Sequence, residues 1–213
     1  MKEEYWVFGG ALLFQLGILL YRYYQRRSYR KTGEEIVNSN YDSYLELRNE
    51  TFALKAEDLG IATFDDKETA FALMMEMHIG SALQTLVAFA DGTVWIFNSR
   101  NARKNIGDSD AADLRLAAID AMATAQYHFA RMRRQDVGAL LPGHIKFYIL
   151  TNCDNYSAGD TIKAILDESS PWTELAKKGF AIGDELNKIA ENNPTKRVVY
   201  PKTTVKRGKP ANF

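Results

Sequence analysis

The spacing of apolar residues changes several times along the chain, and each change marks an element. Residues 5–21, YWVFGGALLFQLGILLY, carry no charge, and apolar side chains fall on every side of a helix drawn through them. From Tyr5 to Tyr24 such a helix is roughly 30 Å long, the hydrocarbon thickness of a bilayer. Residues 41–59 show helical spacing: Tyr44, Leu47, Thr51 and Leu54 interleave with Leu45, Phe52, Ala56 and Leu59. Asn40 or Asp42 offers a cap at one end, and Gly60 a stop at the other. The stretch TAFALMMEMHIGSALQTLVAFADGTVWIFNSR is then divided by Gly80 and Asp91-Gly92 into three extended runs. The first alternates, with Leu73, Met75 and Met77 on one face and Met74, Glu76 and His78 on the other. Leu86 to Phe89 and Val94 to Phe97 are apolar on both faces, as in central strands covered on both sides. Asp-Gly between β-formers predicts a tight hairpin of type I′.

A long helix follows, from a cap at Asp108 or Ser109 to about Arg133, with Leu114, Ala118, Ala121, Ala125 and Met132 toward a sheet. Pro142-Gly143 opens a fourth strand, HIKFYILTN. A shorter helical stretch spans Asp160 to Asp167. Pro171 starts a last helix whose seam is Trp172, Leu175, Gly179, Ile182, Leu186 and Ile189. The fold class is α+β: a mainly antiparallel sheet, made of a three-strand meander plus a fourth strand, flanked by helices. Strands apolar on two faces need cover on both, and a surplus apolar face would meet a second copy or another protein.

Charge adds an orientation. Lys+Arg and Asp+Glu both number 27, so nothing global favours nucleic acid as a partner. Locally, Arg22, Arg26, Arg27, Arg30 and Lys31 follow the apolar opening, while only Lys2, Glu3 and Glu4 precede it. This asymmetry puts the N-terminus outside and the rest in the cytoplasm, with Trp6 and Tyr21 at the two interfaces of a bacterial inner membrane. A cleaved signal would carry its charge on the other side. A buried or interfacial helix is the plainer alternative, because the uncharged run is only about 17 residues. The expected organisation is a single-pass anchor at 1–24, a basic juxtamembrane linker at 25–40, a cytoplasmic domain at 41–191, and a basic tail at 192–213 of disorder-type composition. The bilayer is then one partner, and the tail offers cations to its anionic lipids.

The stretch LMMEMHIGSALQTLVAFADGTVWIFNSRNARKNIGD resembles a group of small bacterial proteins of unknown function, built on a TLVALADGT-type hairpin core. The resemblance spans about residues 41–190 and departs at Asn101-Ala102-Arg103-Lys104-Asn105, where that group has a glycine run. It implies no activity. The helix-flanked sheet is also similar, at the level of fold, to roadblock and longin modules that assemble on membranes.

Candidate chemistry is sparse. One cysteine, Cys153, excludes an internal disulfide and a cysteine-rich metal site. There is no GxxxxGK[ST] loop and no GxGxxG after a strand. Arg100, Arg103 and Lys104, ahead of a helix N-terminus, offer an anion or acidic-partner site; the plain reading is a solvated loop. Glu76 and His78 share a strand face, as an acid/base pair or part of a metal site would, or simply as an exposed or locally satisfied pair. Cys153 lies just after a strand, with only the remote His78 and His144 as bases, and reads as an inert thiol. His128 falls near the buried side of the long helix, and Asp65-Asp66 reads as a solvated turn. No catalytic residue, metal site or cofactor is assigned. The expected function is a membrane-anchored interaction or assembly module. The alternative is a tethered enzyme or anion sensor using Arg100 to Lys104, which would require those cations to converge with Glu76, His78 or Cys153.

Overall fold

A computed structural model describes residues 34–63, 66–79, 82–100, 105–106, 111–134 and 140–192. Helix α1 is Glu34–Ala53, followed by a 3-10 turn at Ala56–Leu59. Strands β1 (Ala70–Ile79), β2 (Ala82–Phe89), β3 (Val94–Asn98) and the short β4 (Asn105–Ile106) lead to helix α2, Ala112–His128. Then come β5 (Arg133–Arg134), β6 (His144–Thr151), β7 (Asn155–Thr161), the single turn α3 (Ile162–Leu166) and helix α4 (Thr173–Asn192).

The strands form one seven-stranded sheet in the order β4-β3-β2-β1-β6-β7-β5, and each pairing is antiparallel. The fold is α+β, and the expected meander and fourth strand are both present, with the fourth beside β1 at the sheet's centre. Apolar transfer holds it together from both sides. On one face α2 and α4 cover Leu73, Met75, Leu86, Val94, Ile145, Phe147 and Ile149, with Ala118, Ala121 and Ala125 letting α2 lie close. On the other, α1 covers Phe71, Met74, Val87, Phe89, Phe97, Tyr148 and Leu150. A register shift between Ala70 and Ala72 lets Phe71 and Ala72 both join the α1 side.

Several boundaries differ from the sequence reading. Helix α1 begins at Glu34, so Asn40 and Asp42 lie inside it and cap nothing. Gly60, at φ +68°, closes the 3-10 turn instead of the helix. The α2 cap is Ala111, which makes no side-chain bond, and Asp108 and Ser109 lie outside the described residues. The β2–β3 connection is not type I′. Gly92 is at φ +88°, but the one non-glycine residue at positive φ among those described is Glu168, so Asp91 is not. Gly92 N–H donates to Phe89 O and Phe89 N–H to Thr93 O, the pattern of a three-residue loop closed by a left-handed glycine. Strand β7 was missed entirely. Its sequence, NYSAGDT, has little β-propensity, and only Tyr156 and Ser157 are buried. The backbone approach requires Gly159, where a Cβ would stand 2.8 Å from Ile145 O.

Candidate functional site

A strand reading LMMEMHI holds one charged side chain, Glu76, at the middle of the central strand and on the face that α1 covers. An isolated carboxylate there is costly, so it must be paired. Tyr44 and Arg48, four apart, point from one side of α1 onto it. Arg48 Nε donates to Glu76 Oε1 at 2.7 Å and its Nη2 to Oε2 at 3.3 Å, a two-pronged pair. Tyr44 O–H donates to Oε1 at 3.0 Å and shares a 2.8 Å bond with the hydroxyl of Thr85, the residue directly across from Glu76 on β2. Arg48 Nη2 also donates to Tyr148 Oη at 2.6 Å, and the guanidinium lies over the rings of Phe52 and Tyr148. Glu76 is 2% exposed and the Arg48 side chain 12%.

Such an arrangement fastens α1 to the sheet and does little chemistry. Burial, reinforced by the Glu76 charge, pushes both the Tyr44 and Tyr148 phenols well above their usual range. Burial alone would lower the Arg48 guanidinium, but its bonds to Glu76 outweigh that and raise it. All three therefore keep their protons at neutral pH, and no general base or nucleophile emerges among them. An alkaline limit follows. Groups whose folded-state values are raised contribute stability that is intact below their unfolded value, about pH 10. That stability drains away as pH rises toward the folded-state values, by up to about 2.7 kcal/mol per pH unit for two phenols. Urea titrations at stepped pH are expected to show this decline, and Tyr44→Phe combined with Tyr148→Phe should make it shallower. An unchanged slope would mean that both phenols ionise in the folded state.

The residues singled out from the sequence do not gather. Glu76 and His78 share a face, but Glu76 is consumed by Arg48, and His78 Nε2 meets Leu140 O at 3.2 Å. Arg100 is half-buried at the end of β3, its N–H on Asn98 Oδ1 and its carbonyl accepting from Asn40 Nδ2 of α1. It shares with His78 the end of the sheet where α1 begins. Cys153 stands at the opposite end, because Ala70 pairs with Thr151 while Met77 pairs with Ile145. His144, on Pro142 O, lies at the His78 end, away from Cys153. No described histidine pairs with the thiol, whose Sγ lies 3.8 Å from Asn152 Oδ1. The open cleft beside Cys153, about 420 Å³, runs between the end of α1 and the β6–β7 turn and is lined by Phe52, Lys55, Glu57, Thr63 and Asn152. His128 is buried against Trp172, as its position on the helix suggested. Among the described residues no group of three or more His, Cys, Asp or Glu is placed to hold a metal ion.

Trp6, Tyr21, Arg22, Arg26, Arg27, Arg103, Lys104 and Asp65 lie outside the described residues. Among those described, no helix is long and apolar enough to cross a membrane.

What the sequence reading missed are Arg48, Tyr148 and the hydroxyls of Tyr44 and Thr85, and also the outer side of α2. There Leu116 is 63% exposed, Ile119 41% and Tyr127 76%, each on the side of the helix away from the sheet. Ala123, between them, is exposed as well. Comparison with known protein families, curated proteins and solved structures finds no match for this chain.

Proposed function

We propose that this protein is a membrane-anchored interaction module, held by residues 5–24 with its α+β domain in the cytoplasm, and that it docks other protein through the outer face of α2. The observation that carries the reading is the division of labour between the two sides of the sheet. Polar chemistry is turned inward and spent on fastening α1, while large apolar side chains are turned outward on α2. A contiguous exposed apolar surface marks a contact site more often than an accident of composition. Helix α1 follows the basic linker in sequence, and the clasp around Glu76 fixes that helix to the sheet. Near the start of α1, Asn40 donates to the Arg100 carbonyl at the same end of the sheet as His78; in this reading that end faces the bilayer, and the loop cations Arg103 and Lys104 lie next in sequence.

Two measurements test it. Carbonate or high-salt washing of membranes is expected to leave the full chain in the pellet, because apolar transfer and not charge retains it; release by either wash would end the anchor. Complementation of a strain lacking the gene tests the module. Leu116→Asp with Tyr127→Asp should abolish function in a protein that still folds, and Cys153→Ser or His78→Ala should not. The reverse pattern would make the protein an enzyme.

A further inference from the structure

The geometry points to a second copy of this chain as what covers the outer face of α2. We propose an antiparallel contact about a two-fold axis at the level of Ile119 to Ala123. The inference rests on the interaction-module reading above and names its partner. Leu116, Ile119, Ala123 and Tyr127 recur at helical spacing and fall within about 80° of one another around the axis, so they form a continuous line. Asp120 beside that line is already paired with Lys178 at 2.6 Å, which leaves no unanswered carboxylate in the seam.

The ends of the line decide the partner. Asp113 stands exposed in the first turn of α2, and Arg131 stands exposed just past its last turn. The face is thus acidic at one end, apolar in the middle and basic at the other. A surface of that kind is complementary to itself when turned end for end, which is the requirement for an isologous contact. Antiparallel pairing brings each Asp113 to the opposite Arg131 and opposes the two helix dipoles; parallel pairing would set like charges together. The apolar steps match as well. Leu116 of one copy meets Tyr127 of the other, and Ile119 of each meets the small Ala123, which lets the axes approach to about 8–10 Å. One helix face buries on the order of 400 Å² per copy, well under the roughly 800 Å² per partner of a stable interface. The contact is therefore weak in dilute solution and depends on the raised local concentration that a shared membrane provides.

The test uses the full chain in its own membranes. In a Cys153→Ser background, Ala123→Cys treated with a short bis-maleimide should give a product of twice the chain mass. Glu46→Cys, exposed on α1 across the sheet, should give none. Asp113→Lys alone and Arg131→Glu alone should each lower the cross-linked fraction about three- to tenfold, since each acts twice by symmetry. The two together should restore it, a rescue that no unrelated partner would produce. Lys188 lies near Asp113, so the melting temperature of each variant is compared with the parent. Absence of the double-mass product, equal cross-linking at Glu46→Cys, or failure of the rescue in folded variants would overturn the second copy. A product of another mass in the same membranes would overturn it and leave the interaction module standing. Were the chain washed from membranes, the anchor reading would fall; sedimentation at millimolar concentration would then decide the pairing, and a monomer there would overturn it.

Discussion

Arg48→Met is expected to cost about 3–5 kcal/mol of folding stability, because it strands a carboxylate beneath α1 at the centre of the sheet. The pair is not symmetric. Glu76 is 2% exposed and has no route to water, whereas the Arg48 side chain is 12% exposed and sits at the rim of the helix. Glu76→Leu therefore costs less, since the guanidinium left behind can turn outward and keep its aliphatic stem packed. Combining Arg48→Met with Glu76→Leu should recover most of the loss, because a buried ion pair is often matched by apolar groups of similar volume. Urea unfolding of residues 34–192 for the four members of this cycle gives the coupling. A cost below about 1 kcal/mol for Arg48→Met would mean that the carboxylate is protonated or hydrated and that the clasp is not an ion pair.

The location of this clasp was half legible in the chain. A lone Glu in LMMEMHI demands a partner, and the period-two pattern puts it on the face away from Met75 and Met77. The identity of the partner was not legible, since a chain with 27 Lys and Arg offers many candidates and no rule of spacing links residue 48 to residue 76. Only the docking of α1 across the sheet brings them together. Tyr44 was read correctly as part of the apolar stripe of its helix, but an aromatic ring and a buried hydroxyl look alike in a hydrophobicity pattern. For the same reason, two-sided apolar strands announced that helices would lie on both faces, and α1 against α2 and α4 meets that requirement.

The failures have physical causes as well. Strand β7 is held by its neighbours β6 and β5 and not by its own propensity, so NYSAGDT carried no strand signal. The start of α1 was set too late because in residues 34–40, EEIVNSN, only Ile36 and Val37 are apolar, and Asn38-Ser39-Asn40 reads as a polar connector ending in a cap; the helix runs through them. Helix α2 is apolar nearly all round, which a sequence reader takes for deep burial. Its outer residues Leu116 and Tyr127 show that the surplus points outward instead.

The early start of α1 has a measurable consequence. Residues 34–192 are expected to unfold in one cooperative transition, since both faces of the sheet are covered within them. A chain starting at residue 41 lacks the first turns of α1 and the bond from Asn40 to the Arg100 carbonyl. It should fold with a loss on the order of 1–2 kcal/mol, the scale of one part-buried hydrogen bond and a shortened helix. A chain starting at residue 54 loses α1 altogether. That exposes Phe71, Met74, Val87, Phe89, Phe97 and Tyr148 and leaves Glu76 without Arg48. At about 1.5–3 kcal/mol for each large side chain returned to water, the loss is as large as the whole 5–15 kcal/mol that holds a domain of this kind. Near-ultraviolet circular dichroism should show fixed aromatic signals for the first two chains and none for the third, which should bind a hydrophobic dye. If the chain from residue 54 kept a sharp transition and a native near-ultraviolet spectrum, α1 would be a dispensable lid, and the polar clasp beneath it would have to be explained by something other than stability.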